Sequence, residues 1–169
     1  MSHTRSFARR EPLTFFADAM LGKLARWLRT LGYDTAYQSD ILDADLVQQV
    51  LHENRWLLTR DGYLVQRKVL QGRSTLIRSD DVREQLGQLH VELGLSLLLN
   101  QSTPSRCAAC NALLESLPPE KATALVPPVV AKQYQDFVRC PHCHRLYWPG
   151  THWLHLQQQL TALRARAIR

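Results

Sequence analysis

Short apolar runs recur through the first hundred residues, and each is followed by a segment whose apolar positions lie three and four apart. Residues 14–18, ending at Asp18, read as a short buried strand. Met20, Leu21, Leu24, Leu28 and Leu31 then recur at helical spacing, which predicts an amphipathic helix with Gly32 at its C-terminal cap. Residues 33–37 suit a second strand. A helix follows, carrying Leu46, Val47, Val50 and Leu51, with Asp43 in the N-cap position. Residues 55–59 read as a third strand, 63–70 as a helix and 74–78 as a fourth strand. Ser79-Asp80-Asp81 leads into a helix with Val82, Leu86, Leu89 and Leu93 on one face.

Alternation of strand and helix predicts an α/β fold, a parallel sheet with helices on both faces. Ligands of such sheets sit at the carboxyl ends of the strands, near the point where strand order reverses. Asp18, Asp61 and Asp80 all fall just after predicted strands, and Asp43 falls at a helix start on the same rim. Each alone has an ordinary structural role: Asp18 and Asp43 suit helix caps, and Asp61 suits a turn. Together they place several carboxylates on one edge.

The pattern changes after residue 100. Residues 100–106 form a polar linker, and paired prolines stand at 118–119 and 127–128. Cys107-x-x-Cys110 and Cys140-x-x-Cys143 are two knuckles that can bring four thiolates into a tetrahedron around a structural zinc. Two disulfides are the competing arrangement, and His142 and His144 lie close enough to replace a thiolate. Residues 153–168 read as a terminal helix with a basic end. The expected organisation is a basic tail over 1–13, an α/β unit over 14–100, a zinc ribbon over 104–155 and a basic helix over 156–169.

The chain has 169 residues, enough for one domain or a small domain with an appendage. Its net charge of +6 is unevenly spread. Residues 15–103 carry 10 basic and 11 acidic side chains, whereas residues 151–169 carry three Arg and no acid. An acidic centre with basic flanks is the balance a nucleic-acid enzyme needs; a solvated surface is the plainer account. No apolar run is long enough to span a membrane, and the N-terminus lacks the apolar stretch of a secretory signal. A cytoplasmic location is therefore expected, where paired Cys favour metal over disulfide. No dinucleotide fingerprint, P-loop or nucleophile elbow is present. Lys23, Arg26 and Arg29 are read on the polar side of the first helix, suited to neutralising phosphates. Trp27 is read as packing.

Phosphodiester hydrolysis can use divalent ions bridged by carboxylates. Asp18, Asp43 and Asp61 supply that chemistry if they converge, with Asp45, Asp80 and Asp81 in reserve. Crowded carboxylates repel, so neutralising Asp18 or Asp61 is expected to leave the metal-free protein as stable or more so.

The run from Phe16 through Asp18-Ala19-Met20-Leu21-Gly22-Lys23-Leu24-Ala25-Arg26-Trp27-Leu28-Arg29, then Leu31-Gly32-Tyr33-Asp34, resembles the Mut-seven C-terminal RNase family. So do Leu57-Leu58-Thr59-Arg60-Asp61, Gln85-Leu86, Val126-Pro127-Pro128, Phe137, Cys140-Pro141-x-Cys143 and Tyr147-Trp148-Pro149-Gly150-x-His152-Trp153. The resemblance implies a PIN-like three-layer fold with a parallel central sheet, followed by a small zinc ribbon and a C-terminal helix. It implies a ribonuclease that cuts single-stranded RNA with magnesium or manganese. Residue by residue, Asp18 matches the first-strand acid, Asp43 the acid opening the second helix, with Asp45 beside it, and Asp61 the acid of the Thr-Arg-Asp motif. Asp80 or Asp81 is the expected fourth acid. Arg60, in the same motif, joins the basic helix residues as an expected substrate contact. The alternative is a non-catalytic RNA-binding module that grips RNA through the ribbon and the basic flanks.

Overall fold

The computed structural model describes residues 13–99 and 103–167. All of the expected basic tail but Leu13 lies outside those residues, as do the first three residues of the linker and the last two positions. Strand β1 (Phe15–Ala17) runs into a single 3-10 turn at Ala19–Leu21, then helix α1 (Gly22–Thr30). Strand β2 (Thr35–Tyr37), helix α2 (Asp43–His52) and strand β3 (Trp56–Thr59) follow. Helix α3 (Gly62–Val65), strand β4 (Ser74–Leu76) and helix α4 (Val82–Leu93) complete the first half. The four strands form a parallel sheet in the order β2-β1-β3-β4. The expected α/β class is present, and β1 and β3 flank the point where the strand order reverses.

Alternation along the strands sorts side chains into two cores. Phe15, Ala17 and Leu58 join Leu24 and Leu28 of α1 and Leu86 and Leu89 of α4. Phe16 and Leu57 face the other way, onto Leu46, Val47 and Val50 of α2 and Leu64 of α3. Gly32 ends α1 at φ +92°, a backbone conformation that glycine adopts without strain. Met20 departs from the expected apolar stripe: it is exposed, because the chain opens with a 3-10 turn rather than an α-helix there. The helix expected over 63–70 breaks into α3 and a second 3-10 turn at Lys68–Leu70.

The second half holds an antiparallel sheet of β5 (Glu115–Leu117), β6 (Phe137–Arg139) and β7 (Leu146–Tyr147). Two short helices that periodicity missed, α5 (Pro119–Ala122) and α6 (Pro128–Gln133), each begin at the second proline of a pair. Proline suits that first helical position because its absent N–H would find no partner there. The last helix, α7 (Thr151–Ala167), does not stand apart as a basic appendage. Its Trp153, Leu156 and Leu160 are buried in the same core as α1 and α4.

Candidate active site and metal centre

The carboxyl rim is built from the exits of β2, β1 and β3, three neighbouring strands. Asp18 directly follows β1 and is only 7% exposed. Its Oδ1 accepts from the Met20 backbone N–H at 2.9 Å, capping the first turn. Its Oδ2 accepts from the Thr59 hydroxyl and from the Arg60 backbone N–H at 3.1 Å. Thr59 in turn accepts the Asp61 backbone N–H at 2.9 Å, so one buried hydroxyl ties the two acids together. The sequence placed Thr59 in the Thr-Arg-Asp motif without giving it a role; its signal is a hydroxyl two residues before Asp61, closing the third strand.

Asp61 caps α3, its Oδ1 accepting from Tyr63 N–H at 2.7 Å and Leu64 N–H at 3.4 Å. Its Oδ2 takes no hydrogen bond among the described residues. Asp43 differs from the expected cap. Leu42 holds the N-cap position of α2, and Asp43 makes no capping bond. Its side chain is 57% exposed, with Arg67 at 3.9 Å. Asp45 is also exposed and lines an open groove of about 610 Å³ with Gln38, Asp40 and His52. Asp80 is ion-paired with Arg60, which joins the exits of β3 and β4 and occupies both groups. Asp81 caps α4 through Arg83 N–H and Glu84 N–H.

Two sequence expectations change. Asp18 spends both oxygens on three donors, so an asparagine there would turn an NH₂ group towards a backbone or hydroxyl donor; the expected gain in stability is replaced by a loss. Arg29 is not on the polar side of α1. It is 5% exposed, and its guanidinium is spent on backbone carbonyls: Thr35 at 2.8 Å, Ala109 at 2.9 Å and Ala108 at 3.3 Å. Lys23 and Arg26 are exposed as expected.

The donor set at the rim is all oxygen, which suits a hard cation. Among the described residues, however, the four cysteines are the one group of three or more Cys, His, Asp or Glu whose ligand atoms lie within 4.8 Å of one another. The aspartates do not meet that spacing. Magnesium characteristically retains waters and takes one or two carboxylates together with substrate phosphate, so the donors fit it in kind and number.

At the cysteines, geometry and chemistry agree. All four thiols are free, with Sγ–Sγ separations of 3.4 Å for Cys107–Cys143 and for Cys110–Cys140. A zinc–sulfur bond of 2.3 Å implies tetrahedral edges of about 3.8 Å, so the cluster can hold a structural metal such as zinc. The two knuckles repeat one local design. Cys107 N–H bonds Ala112 O and Cys140 N–H bonds Arg145 O, while Asn111 N–H returns to Cys107 O and His144 N–H to Cys140 O. Asn111 and His144, each after the second cysteine, are left-handed at φ 71° and 61°. His142 and His144 are exposed, outside the thiol cluster. Burial pushes the Cys107 thiol up, but hydrogen bonds from Tyr147 and neighbouring groups outweigh it and bring it down to about 6. Burial and the adjacent thiols drive Cys110 up to about 12. Without a cation the four sulfurs cannot all carry charge.

The first knuckle is bolted to the α/β half. Asn111 Oδ1 accepts the Thr35 N–H at 3.0 Å, and its Nδ2 donates to Asp34 Oδ1 at 2.8 Å. Arg55 donates to the same Asp34 oxygen at 2.6 Å, and Arg106 lies 3.5 Å from the other. Partial burial raises the Asp34 pKa, but the bonds from Asn111 and Arg55 and the nearby cationic charge outweigh it, leaving the carboxyl below its usual range.

No described helix is long and apolar enough to cross a membrane. The model of the Mut7-C RNAse domain matches residues 13–160, spanning both the rim and the thiol centre. No curated protein and no solved structure matches the chain.

Proposed function

The chain belongs to the Mut7-C RNAse domain family, and from that membership we propose that it is a ribonuclease using magnesium or manganese at the carboxyl rim, with zinc at the four cysteines as a structural element. The observation that carries the reading is Asp18: a carboxylate buried at the reversal of strand order and oriented by three donors. Asp61 and Asp43, at the neighbouring strand exits, supply oxygens that the fold has not spent. A divalent ion there would supply an activated water and stabilise the leaving oxygen. Asp18 fixes the local backbone and offers its remaining lone pair, while Asp45 lies two residues beyond Asp43 in the first turn of α2. Lys23 and Arg26 neutralise phosphates along the strand. Arg60 orients through its pair with Asp80 and its backbone N–H on Asp18.

One observation favours a non-catalytic RNA-binding module instead. The carboxylates are not clustered, and both Asp18 and Asp61 have capping work to do. Titrating magnesium or manganese into the zinc-loaded protein with single-stranded RNA separates the two. The nuclease should cleave, and cleavage should stop when magnesium and manganese are left out of the zinc-loaded protein, with the melting temperature unchanged. Asp61→Asn, which keeps the cap, should lower the rate by orders of magnitude. RNA that is bound but intact under every metal condition would leave the binding module standing.

A further inference from the structure

The four most exposed large apolar side chains of residues 13–99 are Tyr63 at 85%, Leu42 and Val91 at 70% and Met20 at 69%. Three of the four stand beside the rim acids. Met20 and Tyr63 each lie two residues beyond an aspartate and donate their backbone N–H to it. Leu42 immediately precedes Asp43. The exits of three neighbouring strands span roughly 10 Å, two inter-strand spacings. Water alone gives no reason to edge a row of carboxylates with apolar side chains.

Tyr63 is the most exposed of the three and the only aromatic one. It sits in the first turn of α3, where Cα–Cβ bonds tilt towards the helix N-terminus, and therefore towards Asp61. The residue between them is Gly62, and the fold does not require a glycine there. Its φ is not in the left-handed region, and a Cβ built on it would meet nothing within 4 Å. A bare patch of backbone thus lies between a candidate metal-binding oxygen and an exposed aromatic ring.

We propose that Tyr63 is the base platform of the site: a nucleobase of bound RNA stacks on its ring over the open space at Gly62, which sets the adjoining phosphate against Asp61. Tyr63 is then a positioning and specificity residue. Stacking on an aromatic ring tolerates any base and strengthens with ring area, so the subsite takes purines ahead of pyrimidines. Met20 and Leu42 provide apolar margins for neighbouring bases. This proposal rests on RNA as the ligand of the rim but not on cleavage.

Binding of labelled oligoadenylate and oligouridylate to the zinc-loaded protein, with calcium in place of magnesium or manganese to bridge Asp61 and phosphate, tests it by fluorescence anisotropy. Wild type should prefer oligoadenylate. Tyr63→Ala should weaken that binding about tenfold, the loss of one stack, and shrink the preference, with the melting temperature unchanged. Tyr63→Phe and Tyr63→Trp should restore both. Gly62→Leu should weaken binding by filling the open space without lowering the melting temperature. Oligoadenylate binding within twofold of wild type in Tyr63→Ala, or no RNA binding by wild type, overturns the proposal. Tyr63-dependent binding without cleavage on metal addition would sink the nuclease reading and leave this one intact; cleavage that ignores Tyr63 would do the reverse.

Discussion

The thiol centre and the carboxylate rim are both proposed metal sites, and they are built in opposite ways. Each cysteine pair is closed by its own knuckle within a few residues, and the four sulfurs lie within 4.8 Å of one another. The rim acids come from three strand exits, and two of them are already engaged in capping the turns that follow. The first site is closed by its own backbone, and a metal held there would be part of the fold. The second must be completed by what binds there, with substrate phosphate contributing to the shell. A site that stabilises is closed early; a site that turns over keeps its shell open.

If that contrast holds, the largest effect comes from the thiols. Removing the metal with a strong chelator, or Cys140→Ser, forfeits a binding free energy of roughly 10 kcal/mol or more, much of which is folding free energy. The loss should reach beyond the ribbon, because α7 lies in the main core and Asn111 holds Asp34 and Thr35. Thermal melts followed by circular dichroism should show the α/β half destabilised as well; an unchanged melt of that half would break the comparison. Removing magnesium or manganese should barely move the same melt.

A smaller effect separates the acids from one another. Asp18→Asn should cost about 1–3 kcal/mol, because a buried donor faces a donor. Asp61→Asn should be near neutral, since asparagine caps almost as well. Urea titrations of the two variants measure the difference, and equal stabilities would mean that the hydrogen bonds to Asp18 carry little weight.

The smallest is a pH effect at the junction. The Asp34 pKa is lowered in the folded protein, so its contribution to stability is complete above the ordinary carboxylate value of 3.8 and is lost as pH falls through the folded value. Wild type should therefore lose more stability than Asp34→Asn on acidification below about pH 4. Parallel losses in the two proteins would place the acid sensitivity elsewhere.

What the sequence made legible follows the range of each interaction. The four strands, their order of alternation and the two knuckles are local patterns, and they appear as expected. Met20 and Arg29 were misread for different reasons. Met20 fits a helical stripe until a 3-10 turn displaces it. Arg29 looks like a solvated cation until its partners are found at Ala108 and Ala109, about 80 positions away. Asp80 carries the chemistry of a metal ligand, but its pairing with Arg60 depends on β4 lying beside β3. Thr59 stood in the Thr-Arg-Asp motif, but its bond to Asp18, 41 positions away, depends on β1 lying beside β3.

Strand β2 lies at the margin of the parallel sheet, with β1 on one side only. The outward N–H and C=O of Thr35 are satisfied by Asn111 and by Arg29, whose guanidinium is itself anchored on the first knuckle. A bare strand edge is a template for pairing with another chain. A metal held at the cysteine centre would therefore guard against aggregation as well as unfolding, because its release would uncover a β edge. The chelated protein should come out of solution by edge-to-edge association, with light scattering rising as the junction opens, and oxidants that strip thiolate-bound metal would act through the same exposed strand.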